Sequence, residues 1–227
     1  VVPLLKQSSL DMNDLKNFRP VSNLSFVSKI VERIVLKRFL KYLNDNNFLP
    51  CNQSGFRRFH STETALLQVL SGLFEASDHN QVSLLTLLDM SAAFDCVNYD
   101  TLLRRLCLSY GVCDSALDFF KSYLSKRTQQ VYFDGSMSYV VDVLSGVPQG
   151  SVLGSLLFTL YTADILKLID EFDLKSFAYA DDVQIIASAS IGEFDCMVKR
   201  LLDCLNVLDE WMALNGIKMN QYKTQLV

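Results

Sequence analysis

Two adjacent aspartates interrupt an apolar stretch, Phe177-Ala178-Tyr179-Ala180-Asp181-Asp182-Val183-Gln184-Ile185-Ile186. No other feature of the chain restricts its fold as much. The β-branched, aromatic and small residues on either side are those of buried strands, and the carboxylates fall where the chain can reverse between them. Two ionised carboxylates side by side repel, and burying a charge without a partner is costly. A divalent cation removes both penalties. Hard Mg²⁺ takes oxygen ligands, typically one or two carboxylates together with substrate phosphates. The pair points to a metal site for phosphoryl chemistry. It equally suits a solvated Asp-Asp turn, because Asp is a common turn former.

The 227 residues are enough for one large domain or two small ones. Half of them are hydrophobic, so a sizeable core can form. No charge-free apolar run is long enough to span a membrane. The opening Val1-Val2-Pro3-Leu4-Leu5-Lys6 has neither the basic start nor the apolar run of a signal peptide, and it lacks an initiating Met, as expected of a fragment of a longer protein. Six cysteines form no Cys-x-x-Cys pair, and there are only two histidines, which argues against zinc. Most of the cysteines are expected to be reduced and buried, as inside a cell, with the compartment, cytoplasm or nucleus, left open. The net charge of −4 is unevenly spread. Residues 1–60 hold ten Lys/Arg against four Asp/Glu, whereas residues 61–227 hold eleven against twenty-one. A basic segment joined to an acidic one suits a protein that grips a polyanion with one part and collects metal with the other.

The periodicity predicts an amphipathic helix over Val27 to Leu43, with Val27, Ile30, Val31, Ile34, Val35 and Leu43 at helical spacing. Lys29, Arg33, Lys37 and Lys41 make a basic stripe on it, either a phosphate-binding face or simply a solvated one. Further helices are expected at Thr62 to Ala76, at Thr101 to Tyr110 with Asp100 as N-cap, and at Ser115–Leu124. A buried strand, Gln81 to Leu88, ends at Asp89. Asp134-Gly135 turns a hairpin between Gln129–Phe133 and Ser138–Val143. Gly146-Val147-Pro148-Gln149-Gly150 is a loop leading into an apolar helix, Val152 to Leu168. The Asp-Asp hairpin occupies Lys175–Ala187, and a long helix from Phe194 to Leu214 stops at Asn215-Gly216. A strand pair at Ile217–Met219 and Thr224–Val227 closes the chain. This interleaving gives an α+β domain with a small, mostly antiparallel sheet. If the strand before Asp89 lies beside the Asp-Asp hairpin, three carboxylates converge, as two-metal phosphoryl transfer requires.

Seven blocks then resemble, in order, the reverse transcriptase domain of non-LTR, LINE-type retrotransposons. They are Asn17-Phe18-Arg19-Pro20-Val21-Ser22, Gln53-Ser54-Gly55-Phe56-Arg57-Arg58-Phe59-His60-Ser61-Thr62, Leu88-Asp89-Met90-Ser91-Ala92-Ala93-Phe94-Asp95 and Ser145-Gly146-Val147-Pro148-Gln149-Gly150-Ser151-Val152-Leu153-Gly154. Tyr179-Ala180-Asp181-Asp182, Trp211-Met212-Ala213-Leu214-Asn215 and Asn220-Gln221-Tyr222-Lys223-Thr224 complete the set.

The resemblance implies a right-hand polymerase fold whose small antiparallel palm sheet packs on helices. Residues 1–80 would be fingers-like and 81–227 mainly palm, with thumb and endonuclease outside this chain. It implies RNA-directed DNA synthesis on an RNA template and DNA primer from deoxynucleoside triphosphates, within a larger retroelement polyprotein and away from membranes. It assigns two Mg²⁺ ions, or Mn²⁺, to Asp89, Asp181, Asp182 and the Met90 carbonyl. Phe94 is matched to exclusion of a 2′-hydroxyl, and Gln149 and Gly150 to the loop along the incoming nucleotide. Arg57 is matched to a triphosphate contact and Lys223 to protonation of the leaving pyrophosphate. Template and primer would lie on the basic stripe. The chain departs from the family pattern at Ala92 (usually Lys), Ser155 (usually Pro), Arg58-Phe59-His60 (usually Lys-Gly-His) and Tyr179 (commonly Phe). None of these removes a metal ligand. The alternative is a catalytically inactive, nucleic-acid-binding remnant of such an enzyme.

Overall fold

The structure, a computed structural model, describes residues 1–91 and 93–227; Ala92, one of the departures above, lies outside them. In chain order the strands and helices are β1 (Val2–Leu5), β2 (Phe18–Val21), α1 (Phe26–Asp45), α2 (Thr62–Asp78), β3 (Val82–Leu88), β4 (Met90–Ser91), α3 (Tyr99–Leu108) and α4 (Asp114–Leu124). A pair of short ribbons follows, built from β5 (Arg127–Gln129), β6 (Tyr132–Phe133), β7 (Ser136–Met137) and β8 (Val141–Val143). Then come α5 (Gly154–Thr162), α6 (Asp164–Glu171), β9 (Lys175–Tyr179), β10 (Asp182–Ala189), α7 (Phe194–Leu214), β11 (Lys218–Met219) and β12 (Gln225–Leu226).

The central sheet is antiparallel, in the order β12-β3-β10-β9. Strand β10 sits inside it, and its side chains alternate between two buried faces. Val183, Ile185, Ala187 and Ala189 join the main core with Met197, Leu201, Cys204 and Leu208 of α7. Ile186 faces the other way, toward α2, where a Cβ at Gly72 would lie 3.2 Å from its Cδ1. Two-sided burial explains why this strand has no strict polar alternation. Helix α5 is apolar all round and lies at the centre, with Leu156, Leu157, Phe158, Leu160 and Tyr161 all buried.

Several local expectations change. Helix α3 starts two residues earlier than the sequence suggested, because Asn98, not Asp100, accepts from the Thr101 amide at 2.9 Å. Asn is among the best N-caps, and Asp100 then sits in the first turn, where a carboxylate suits the helix dipole. The apolar helix expected over Val152 to Leu168 is two helices meeting at Ala163. The Thr159 and Thr162 hydroxyls donate back to the Ser155 and Phe158 carbonyls, at 3.1 and 3.0 Å, a pattern that bends helices. The last two strands do not pair with each other: β11 pairs with β4 and β12 with β3. The Asp134-Gly135 hairpin is present, with both turn residues at positive φ as its turn type demands. Among the cysteines only Cys204 is buried, and Cys51, Cys107, Cys113 and Cys196 are exposed free thiols. No helix among the described residues is long and apolar enough to cross a membrane.

Helix α1 departs most from its sequence pattern. Ser25 caps it, but Val27, Ile30, Val31 and Ile34 are exposed, while Glu32 is 1% exposed. The Glu32 carboxylate accepts from the Val152 and Leu153 amides at 2.7 and 3.1 Å, the Tyr123 hydroxyl at 3.3 Å and the Ser28 hydroxyl at 3.2 Å. It supplies the acceptor for the two amides that lead into α5, whose first amide, Gly154, donates to Ser151 Oγ at 2.9 Å. Glu32→Ala strips several buried donors at once, and each such group costs about 1–3 kcal/mol. Denaturant unfolding of this variant should show a loss of at least that size, with a smaller loss for Glu32→Gln. An unchanged midpoint for Glu32→Ala would remove the strut from the fold's description.

Candidate active site

The geometry starts with strand register. β3 and β10 pair from Ala189↔Val82 to Val183↔Leu88. One step further along the same register, Asp89 stands opposite Asp182. β9 and β10 pair down to Asp182↔Tyr179, leaving Ala180 and Asp181 as a two-residue reversal with Ala180 at φ 57°. Asp89 and the Asp181-Asp182 pair, 92 positions apart in the sequence, therefore meet at one end of one sheet. Burial raises the Asp182 carboxyl above the usual carboxylate range, and the negative charges of Asp181 and Asp89 raise it further. Among the described residues no three His, Cys, Asp or Glu side chains are drawn close enough to enclose a metal ion; the trio are electrostatic neighbours rather than a closed cage.

The donor set nevertheless fits a hard cation. All three side chains offer carboxylate oxygens. Asp89 Oδ2 is buried without a hydrogen-bond partner, and such a group calls for an explanation of its own, an ion among them. Among the described residues the only cation within ion-pair distance of the trio is Lys223, whose Nζ lies 3.9 Å from Asp89 Oδ2. A turn positions it: the Asn220 amide donates to the Asp89 carbonyl at 2.9 Å, and the Lys223 and Thr224 amides both donate to the Asn220 carbonyl. The Asp89 amide in turn donates to Thr224 Oγ1 at 3.3 Å. Met90 follows directly, held in β4 against Met219.

Phe94 lies in a 3-10 turn, Ala93–Cys96, half-buried, with its ring 5.0 Å from that of Phe158. The glycine-rich loop docks on the backbone of this turn. The Val147 amide donates to the Phe94 carbonyl at 2.7 Å, and the Gly146 amide to the Val97 carbonyl at 2.8 Å. Gly146 has φ +90°, and a Cβ there would sit 2.8 Å from the Asp95 Cα, so no other residue fits without displacement. At the loop's far end the Ser22 amide donates to the Gln149 carbonyl at 2.8 Å, with Gly150 at φ +92° beside it. The loop and the segment after β2 border a cleft of about 300 Å³, lined among others by Pro20, Asp95, Arg127, Gly146 and Gln149. Burial raises the Asp95 carboxyl as well.

Arg57 is not brought to this cluster. Its guanidinium donates to the Leu49 carbonyl at 2.7 Å and the Cys51 carbonyl at 3.4 Å, pinning the segment after α1. On the basic stripe Arg33 and Lys37 are exposed, Lys29 is half-buried and Lys41 pairs with Asp45. Sequence reasoning assigned no role to Glu32 or Gln53, which the structure ties to the glycine-rich loop and the aspartate turn. A glutamate set among the apolar and basic residues of that helix was the available signal for the first. The position of Gln53 in a matched block was the signal for the second.

A family model described as reverse transcriptase (RNA-dependent DNA polymerase) matches residues 5–227. The chain belongs to the reverse transcriptase family. It is 31% identical over 219 residues to the probable RNA-directed DNA polymerase from transposon BS of Drosophila melanogaster, a match covering 92% of this chain and 23% of that protein. It is also 31% identical over 231 residues to the corresponding protein from transposon X-element of the same organism, covering 100% of this chain and 25% of that one. The reverse transcriptase domain thus spans about a quarter of the length of these relatives, and they support the LINE-type assignment drawn from its motifs. In fold it is similar to telomerase from Candida tropicalis in complex with a TWJ fragment of telomeric RNA, with a TM-score of 0.64 at 15% identity, over 89% of this chain and 33% of that one. The α+β polymerase fold expected from the motifs is therefore the fold observed.

The aspartate cluster makes a stability prediction that needs no activity. Asp182→Asn removes one of three mutually repelling charges at nearly constant shape. In metal-free buffer its melting temperature should equal or exceed the parent's, and the stabilisation that Mn²⁺ gives the parent should shrink. A variant that melts lower without metal, and gains as much from Mn²⁺, would contradict the reading of these carboxylates as a repelling, metal-seeking cluster.

Proposed function

We propose that this domain is the fingers and palm of an RNA-directed DNA polymerase of a retroelement, residues 1–80 forming the fingers-like part and 81–227 mainly the palm. The observation that carries the reading is the register of β3 against β10, which sets Asp89 opposite Asp182 with one carboxylate oxygen orphaned. Asp89, Asp181, Asp182 and the Met90 carbonyl would hold two Mg²⁺ ions. Bound there, the metal would activate the attacking hydroxyl and neutralise charge on the leaving group.

The remaining work falls to the chain's own residues. The primer 3′-hydroxyl gives up its proton to solvent as its oxygen forms a bond to the α-phosphorus of a deoxynucleoside triphosphate, the bond from that phosphorus to the bridging oxygen breaks, and pyrophosphate leaves. Lys223 would give that oxygen a proton; its ion-pair distance from Asp89 supports that role. The Gln149-Gly150 loop, docked on the turn that carries Phe94, would lie along the nucleotide. Phe94 presents the ring that packs beneath the sugar and rejects a 2′-hydroxyl by overlap, denying it a hydrogen-bond partner. The exposed Arg33 and Lys37, with Lys29 and Lys41, contact backbone phosphates of the RNA template and DNA primer regardless of sequence. Arg57, bound to two carbonyls, is left out of nucleotide contact.

Primer extension on an RNA template with Mg²⁺ tests the proposal, and the absence of incorporation by folded parent protein would favour the nucleic-acid-binding remnant. Within that assay Phe94→Ala should raise ribonucleotide incorporation relative to deoxynucleotide incorporation. An ordinary core Phe would instead lose about 3–5 kcal/mol of stability on truncation, with both activities falling together at an unchanged ratio. Binding should also depend steeply on salt. Each phosphate neutralised adds about 0.7–0.9 to the log–log slope, so reversing Arg33 and Lys37 to Glu should flatten it. An unchanged slope would make the stripe a solvated face.

A further inference from the structure

Gln53 is 3% exposed, an unusual place for a glutamine unless its amide is fully used. Its Oε1 accepts from the Ala180 amide at 3.0 Å and from the Gly55 amide at 2.7 Å, while Nε2 donates to the Ala180 carbonyl at 3.3 Å. One side chain thus satisfies both peptide groups of the single residue that precedes the two aspartates. Ala180 holds φ 57°, a left-handed conformation in which an alanine's Cβ crowds the backbone. Residues kept in such conformations persist only where their surroundings over-determine them.

The surroundings here are a three-residue splint. Ala178 pairs with Val183 on one edge, and on its other edge the Ser54 amide donates to the Ala178 carbonyl at 2.7 Å and the Ala178 amide donates to the Asn52 carbonyl at 2.8 Å. Gln53 and Ala178 form a parallel bridge that covers the free edge of β9. Gly55 completes the fit: a Cβ there would lie 2.8 Å from the Ala180 nitrogen. The segment is not a ligand set, since it touches backbone and none of the three carboxylates.

We infer that Gln53, with Gly55 beside it, is a positioning residue for the Asp181–Asp182 turn, fixing the strained peptide from which both metal-binding carboxylates project. The inference rests on the polymerase reading for its consequence in turnover, but not for its geometry. Gln53→Met keeps the volume and removes every hydrogen bond. Partners that orient metal ligands are worth about 10–100-fold in metal affinity or activity. In the folded variant, turnover should fall and the Mg²⁺ concentration for half-maximal rate should rise by factors in that range, with the nucleotide KM little changed. Gly55→Ala should give the same signature. Gln53→Glu, which keeps the shared acceptor, should recover part of the loss. A merely structural role would instead lower melting temperature and scale activity with the folded fraction, at unchanged metal requirement.

Amide hydrogen exchange gives the readout that needs no activity. Exchange at Ala180 and Gly55 should be slow in the parent and in Gln53→Glu, and fast in Gln53→Met, with α7 unaffected. Faster exchange confined to these amides, with the shifted metal requirement, supports the clamp. Equal exchange, or an unchanged metal requirement and turnover in Gln53→Met, overturns it. If the parent incorporates no nucleotide, the polymerase reading fails, and the clamp is decided on exchange alone.

Discussion

Three like charges meet at the end of one four-stranded sheet, and the pairing of β3 with β10 forces them together. Seven register pairs from Val82↔Ala189 to Leu88↔Val183, with Val183, Ile185, Ile186, Ala187 and Ala189 buried, fix where the strands stop. A slip of one residue would turn every side chain to the opposite face, moving Asp182 from the α2 side of the sheet to the α7 side. The hydrophobic alignment of two strands thereby sets an electrostatic arrangement that the carboxylates alone would oppose. Burial raises the Asp182 carboxyl and the charges of Asp181 and Asp89 raise it further, while among the described residues only Lys223, 3.9 Å from Asp89 Oδ2, sets an opposing charge within ion-pair distance of the trio.

The first 60 residues are tied to the site by backbone contacts at three points. Glu32 receives the amides at the start of α5, just past the glycine-rich loop. The Ser22 amide binds the Gln149 carbonyl within that loop. Gln53 binds the peptide before Asp181. Each tie uses groups that would otherwise be left unsatisfied on burial, so each is worth more as a constraint on shape than as net stability. Together they fix the loop and the aspartate turn relative to one segment of chain.

Much of this was legible in the sequence, for physical reasons. The Asp-Asp reversal, the strand ending at Asp89 and the long helix Phe194–Leu214 each combine strong periodicity with a clear stop signal, and they appear as expected. The Lys223 turn was placed by its motif and does lie against Asp89. What sequence could not give was long-range hydrogen bonding. The apolar stripe of α1 predicted that Val27, Ile30 and Ile34 would be buried, yet Glu32 is, because the donors of α5 are supplied 120 positions away. Arg57 carries the right charge in the right block, but nearby carbonyls occupy its guanidinium. The break at Ala163 arises from threonine hydroxyls bonding back within the helix, which a count of apolar residues does not register.

The central claim is that Asp89, Asp181 and Asp182 act as one divalent-metal site at the end of the sheet. Its most direct test is Mn²⁺ uptake, followed by electron paramagnetic resonance, in the presence of an RNA template, a dideoxy-terminated DNA primer and the next complementary deoxynucleoside triphosphate. The account predicts that the parent takes up two ions more than a variant with all three aspartates changed to Asn, and that single Asn changes each abolish part of that uptake. Equal uptake by the parent and the triple variant would contradict it.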